Sequence, residues 1–381
     1  MSNQFNTMQT IADMTLPLLM DNIAFMPLIT RGKYDGTFTK KKAGDSIQVT
    51  RPARVTAIDG TADISASYAD FAETSVTIKL DSIATVARKW TSKEQTLNMD
   101  DLQRLVVQPA VNAIAEQVNA DLLNLYKKVP YFSGVSGVTP KTLAEIANAR
   151  KILQDNRAPR DGRAFVMDNT AEAGFLTLDS LVEVDKSGTN SALRDAALGK
   201  VMGMMLVADN QVPTHTAGLY SALADVTITT GALGATSIVL TSAGGASTAT
   251  LLEGDIFTLE GSQYVVTADT ASAIAGVVTV AIYPALPKAF GAMDTVTVAF
   301  ADVTAKAHVP NLMFQKEAFT LASAPLEGAL AGANSAFTSA HGITITVTTD
   351  YDINTNTNLI RFDYLYGVQA TMPDLAVRVL G

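Results

Sequence analysis

The clearest periodicity in the chain is helical. Leu102, Leu105, Val106, Val111, Ile114, Val118, Leu122 and Leu125 recur at three- and four-residue intervals, which predicts a spine helix over about 92–128 with one apolar stripe. Pro109 falls inside that stretch and demands either a kink or a joint between a short helix and a long one. A helix longer than about 25 residues suits a structural spine better than a compact enzyme domain. Further helices are predicted where "TPKTLAEIANARKILQD" opens with Thr139 before Pro140, and where Asn169 and Glu172 stand at capping-box spacing. The segments "RAFVMD" and "MMLVAD" between them read as buried strands.

Elsewhere the period is two. Residues 46–50 alternate, as do residues 75–80 and beyond, and Gly32, Gly36, Gly44 and Gly60 punctuate the intervening chain as turns. This predicts a long two-stranded excursion. From about 222 to 300 the chain is Thr, Val, Ala, Gly and Ile in short alternating bursts, enough for about six strands of a small barrel or sandwich. Mixed patterning then resumes, so this block looks inserted into an α+β domain. At the end, Phe362, Tyr364 and Tyr366 alternate on one face with Asp363 and Leu365 on the other, and Gly367 permits a bulge or close backbone approach. At the beginning, Pro17 and Pro27 limit residues 1–30 to short helical pieces, and they read as an arm.

Composition narrows the class. Apolar residues make up 48% of the 381 and charged residues only 17%, a poor supply of solvated surface. Burial against copies of itself explains that as well as a Thr/Ser/Ala-rich β surface does. The net charge of −9 argues against a general nucleic-acid binder. With no cysteine, disulfides, thiol nucleophiles and thiolate metal sites are excluded. Residues 1–22 lack a basic stretch and a small-residue cleavage site, and no apolar run approaches the ~18 residues of a membrane span. A soluble protein made in the cytoplasm, with no membrane partner, is the expectation.

The search for chemistry returns little. His215, His308 and His341 are far apart in sequence and match no metal-binding spacing. "FSGVSGV" has the wrong spacing for a nucleophile elbow, and neither a Walker A loop nor a dinucleotide fingerprint is present. Asp350, Asp352 and Asn354 imitate the start of a calcium loop, but Thr355 replaces its glycine and Arg361 its closing glutamate, leaving a solvated turn between strands. No catalytic residue, metal site or cofactor is assigned, and an enzyme is not expected. One charged feature stands out: Arg31, Lys33, Lys40, Lys41, Lys42, Arg51 and Arg54 outnumber Asp35, Asp45 and Asp59 in the excursion. With only Tyr34 and Phe38 interleaved it makes a poor single-strand binder, and an acidic surface of a neighbouring copy is the more natural partner.

Taken in order, the segments resemble the P22-like family of tailed-phage coat proteins. "GKVMGMMLVADNQVP" is similar to the passage returning to the axial domain, "LEGDIFTLEGSQYVV" to a Gly-Asp hairpin in the inserted barrel, "NLMFQKEAFTLASAPL" to the strand after the insertion, and "FDYLYGVQATMPDLAVRVLG" to the C-terminal strand. The resemblance implies an α+β, HK97-like capsid fold with an inserted all-β barrel-like domain. Its parts would be an N-terminal arm at 1–31, an E-loop region at 32–74, a peripheral domain with the spine helix at 75–135, an axial domain at 136–221, the insertion at 222–302, and strands completing the core at 303–381. The insertion is shorter and less charged than that family leads one to expect, so any locking of neighbours through it would differ.

The function implied is that of a major capsid protein that self-assembles, as hexamers and pentamers, into an icosahedral shell around a phage genome. The basic residues of the E-loop would meet an adjacent subunit. Asp13 or Asp21 would meet a scaffolding protein, and Gly32 and Gly60 would serve as hinges in maturation. A portal protein is a further expected partner, packaged double-stranded DNA only a non-specific one, and the virion, assembled in the host cytoplasm, the expected location. The rival is a secreted or surface β-rich adhesin or carbohydrate-binding protein, which leaves the spine helix and the basic loop unexplained.

Overall fold

The computed structural model describes residues 25–31, 46–51, 74–93, 106–183, 185, 192, 195–196, 198–223, 226–242, 249–291, 296–301, 307–326, 334–340 and 343–381. The chain divides into two compact units. The first comprises 1–16, 31–110 and 320–372, and the second 17–30, 111–319 and 373–381.

In the first unit, the strand Ser46–Arg51 pairs antiparallel with Thr74–Lys79 over its whole length, as the alternation predicts. The 14-residue strand Thr357–Ala370 is the rib of the larger sheet. It is flanked by Ser82–Thr91 and by Ile343–Asp352, both antiparallel, and Ile343–Asp352 continues to Asn334–Ala340. Phe362, Tyr364 and Tyr366 are all fully buried, and the rings of Tyr364 and Tyr366 stack at 5.2 Å. The opposite face differs from the simple expectation at Asp363. Its carboxylate is buried, accepting from Thr85 Oγ1 and Arg361 Nε at 2.7 Å each. Gly367 is a close approach: a Cβ there would stand 1.8 Å from the carbonyl oxygen of Lys79, a distance no side chain can occupy.

The second unit holds a mixed sheet in the order Phe132–Ser133, Ala376–Leu380, Pro310–Gln315, Arg163–Met167, Met204–Ala208, Lys200–Val201. Its middle strands are buried on both faces, which is why they read as continuous apolar runs. The spine helix is described over Gln108–Leu123, continued by a 3-10 turn at Asn124–Lys128. Pro109 is the second residue of that α-helix and follows directly on the π-helical Val106 and Val107, while residues 94–105, where the preceding helix is predicted, lie outside the described residues. Val111, Ile114, Val118, Leu122 and Leu125 form the buried stripe, while Leu102 and Leu105 lie outside the described residues.

Two caps fall elsewhere than predicted. The helix Leu143–Asp155 is capped by Thr142, with Glu145 reaching back to its backbone N–H, because Thr-x-x-Glu completes a reciprocal box that Thr139 cannot. The helix Asn169–Leu176 is capped by Asp168, whose carboxylate accepts from the N–H groups of Thr170 and Ala171 at 3.1 Å.

The described strands between 226 and 300 form a seven-stranded antiparallel sheet, against the about six strands that the pattern suggests. Alternate residues from its strands, among them Ile228, Leu240, Phe257, Tyr264, Val280 and Phe300, enclose one core. Part of the expected arm is packed as well. Phe25 is fully buried, with its ring 4.9 Å from that of Phe314 and 5.9 Å from that of Phe319.

Candidate assembly surfaces and a buried polar centre

Of the basic residues assigned to intersubunit contact, two are described, Arg31 and Arg51, both half-buried. Arg51 Nε donates to the Thr371 carbonyl at 2.7 Å, so part of its guanidinium is engaged within its own chain. Lys33, Lys40, Lys41, Lys42 and Arg54 lie outside the described residues, as do Asp13, Asp21, Gly32 and Gly60.

The large sheet of the first unit buries one face and leaves several apolar side chains exposed on the other. By register, Ile83, Leu359 and Phe337 belong to the face opposite Phe362 and Tyr364, and all three are exposed, Phe337 by 55%. The hairpin tip beyond it carries Ile353, 82% exposed. Apolar side chains on an open sheet face are the usual raw material of a contact between copies.

The calcium-like loop is a hairpin turn. Asp352 Oδ1 accepts from the Asn354 N–H at 3.0 Å and Oδ2 from Thr355 Oγ1 at 2.6 Å, bonds that hold its carboxyl below the usual aspartate range. Both oxygens thus serve the turn itself, the solvated Asn/Thr turn that the sequence suggests. Among the described residues, no group of three or more His, Asp or Glu side chains is placed to hold a metal ion.

Sequence spacing misses a buried polar centre in the second unit. His215 and His308 are register partners in a short antiparallel pair, with ring centroids 5.2 Å apart, although 93 residues separate them in the chain. His215 Nε2 lies 2.9 Å from Asp255 Oδ1, and its Nδ1 lies 3.0 Å from the Tyr126 hydroxyl. Because the carboxylate can only accept, Nε2 carries the proton, and in the neutral ring Tyr126 O–H donates to Nδ1. Asp255 also accepts from the N–H groups of Gly218 and Leu252. Arg378, on the last strand, is 0% exposed. Its Nε donates to the Val129 carbonyl at 2.9 Å, its Nη1 to the Gly254 carbonyl at 2.7 Å, and its guanidinium carbon lies 5.2 Å from the Tyr126 ring centroid.

The Gly254-Asp255 pair belongs to the hairpin that carries the family resemblance, which was the available signal. Its partners were hidden by distance along the chain. The resulting Tyr-His-Asp line imitates a catalytic relay, but Tyr126, His215, Asp255, His308 and Arg378 are all buried, so a substrate has no approach. The arrangement ties the end of the spine helix, the seven-stranded sheet and the C-terminal strand through hydrogen bonds to charged groups, the stronger class of such bonds.

A family model of the P22 coat protein (gene protein 5) matches residues 266–381, less than half of the chain. No curated protein sequence matches it. Among solved structures, one titled Mycobacterium phage Che8 is similar at 14% identity, covering 94% of this chain and 90% of that one, with a TM-score of 0.53. The capsid of cyanophage P-SCSP1u follows at 13% identity, 88% and 83% coverage and a TM-score of 0.44. The mature capsid of bacteriophage PhiM1 gives 12%, 88%, 82% and 0.44. The fold assignment rests on the first of these: the chain has the α+β, HK97-like capsid fold.

Proposed function

We propose that this chain is the major capsid protein of a tailed double-stranded DNA phage, a structural subunit that assembles with copies of itself into an icosahedral shell. The match of residues 266–381 to the P22 coat protein family carries the reading. The capsid fold, the thin supply of surface charge and the exposed apolar side chains on one face of the large sheet support it. Closed symmetry lets one set of contacts be reused through hexameric and pentameric rings. The adhesin alternative has no comparable support.

In this reading residues 1–31 form the arm, 32–74 the E-loop, 75–135 the peripheral domain, 136–221 the axial domain, 222–302 the insertion and 303–381 the completing strands. The basic residues Lys33, Lys40–Lys42 and Arg54, with Arg31 and Arg51, meet acidic surface on a neighbour. Each exposed ion pair is worth at most ~1 kcal/mol, so repetition around the ring supplies the specificity. Asp13 or Asp21 contacts a scaffolding protein, a portal protein fills one vertex, and DNA touches the inner wall without sequence preference. Gly32 and Gly60 are the hinges on which the E-loop swings during maturation. Assembly takes place in the host cytoplasm and ends in the virion.

Sedimentation of the purified chain tests the reading. Particles far heavier than the 40.2 kDa monomer are expected, and a persistent monomer with affinity for sugars speaks for the adhesin instead. Replacing Lys40, Lys41 and Lys42 together by glutamate should leave a folded chain that forms few shells. Normal shells from that variant remove the E-loop assignment.

A further inference from the structure

The second unit also holds a polar cleft. It measures about 410 Å³ and is lined by Asn112, Glu116 and Asn119 from one face of the spine helix, by Asp209 and Gln211 from the loop after strand Met204–Ala208, and by Asn169. Positions 112, 116 and 119 are spaced four and three residues apart, so one helix face delivers all three. Two of the lining side chains are carboxylates, and none is cationic or aromatic. Anions are repelled by such a lining, and small organic ligands find little of the apolar wall on which their sites depend. Hard oxygen donors suit a hard cation.

The centre of the cleft points the same way. Asn119 is 5% exposed, and its Nδ2 donates to Asp209 Oδ2 at 2.7 Å and to Gln211 Oε1 at 2.9 Å. Its Oδ1 is buried with no hydrogen-bond partner. Asp209 is itself buried, with Oδ1 held by the Gln211 N–H at 2.9 Å. Two acceptors from separate residues therefore converge on one amide nitrogen while the amide oxygen goes unused. Turning the Asn119 amide over brings Oδ1 beside Asp209 Oδ2 and Gln211 Oε1. That geometry costs both of the amide's hydrogen bonds, so it is reached only with a cation between the three oxygens.

We propose that this cleft is a divalent-cation site, with calcium as its ion. Asp209 and Glu116 supply charge, and the amide oxygens of Asn119 and Gln211 supply neutral ligands; Asn112 and Asn169 complete the oxygen lining. Calcium accepts six to eight oxygens in flexible geometry, amide carbonyls included. With two carboxylates the site is of low affinity, with a dissociation constant on the order of 0.1–1 mM. The ion fastens the middle of the spine helix to the loop at 209–211. It acts on the single chain and does not depend on assembly. Sequence spacing could not reveal it, because Asn119 and Asp209 are 90 residues apart.

The test uses the full-length unassembled chain, with calcium chloride alone as the probe, in equilibrium dialysis and thermal unfolding. Wild type should bind one calcium per chain, with a melting temperature that rises as the site fills. Glu116→Gln, at an exposed position, should weaken binding by about tenfold or more. Asn119→Asp gives the sharper readout. It removes the amide donor and sets two carboxylates together, so it should be destabilised in chelator and restored by calcium to the wild-type melting temperature or above. The site is refuted by no binding to wild type at ~10 mM calcium, well above the affinity of such sites, by binding indifferent to Glu116→Gln, or by an Asn119→Asp chain that calcium does not restore. A Glu116→Gln chain that fails to assemble with or without calcium also overturns it, in favour of a neighbour's basic side chain as the occupant.

Discussion

The two last strands of the chain solve the same problem in opposite ways. Thr357–Ala370 is interior to the sheet of the first unit and is fixed by apolar packing, with Phe362, Tyr364 and Tyr366 fully buried on one face. Ala376–Leu380 is interior to the sheet of the second, between Pro310–Gln315 and Phe132–Ser133, and carries a fully buried arginine. The difference lies in what each tolerates. An aromatic face loses contact area in proportion to what is removed, whereas a buried guanidinium leaves its carbonyl partners without any donor when it goes. One strand is anchored by shape and the other by a small number of directed bonds.

The largest effect that can separate them is truncation. Ending the chain after Asp363 removes half of the first rib and all of the second strand, and should abolish cooperative folding in both units, as read by circular dichroism and proteolysis. A folded, protease-resistant remnant breaks the claim that these strands are interior. Next in size, Arg378→Met strands the carbonyls of Val129 and Gly254, at about 1–3 kcal/mol for each buried group left unmade. A chemical-denaturation midpoint unchanged from wild type would show that the guanidinium is dispensable.

Gly367→Ala probes the aromatic strand without touching an aromatic ring. Its Cβ meets the Lys79 carbonyl, so the backbones must separate, at about 1–3 kcal/mol or more. Loss of stability should appear in the first unit, and hydrogen exchange along Thr74–Lys79 would locate it.

The smallest effect belongs to the hairpin tip. The folded Asp352 carboxyl titrates below the ordinary value of 3.8, so its contribution is present above that value and is lost as the pH falls through the folded one. An NMR titration should show the 352–355 turn loosening only in acid below the normal aspartate range; an ordinary midpoint would remove the turn bonds from the account.

This contrast also marks what the sequence can disclose. Period-two patterning announces a sheet with one buried face, and Phe362, Tyr364 and Tyr366 sit where that pattern puts them. The same holds for Ser46–Arg51 against Thr74–Lys79 and for the apolar stripe of the spine helix. Helix caps were legible as regions but not as residues, because Asp168 and Thr142 win their positions through local geometry that neighbours of similar type share. In "AVRVL", by contrast, no local pattern marks Arg378 as buried. Its burial follows from carbonyls 249 and 124 residues away, which no local pattern encodes. His215, His308, Tyr126 and Asp255 were hidden in the same way, and so was the Asn119–Asp209 pair. A charged residue inside an otherwise apolar run is thus better taken as notice of a buried polar centre than as an exposed edge.

Electron microscopy of the purified wild-type chain tests the central claim most directly. Closed shells, or tubes built from uniform six- and five-membered rings, are the predicted result. A field of monomers under every condition that keeps the chain folded would contradict it.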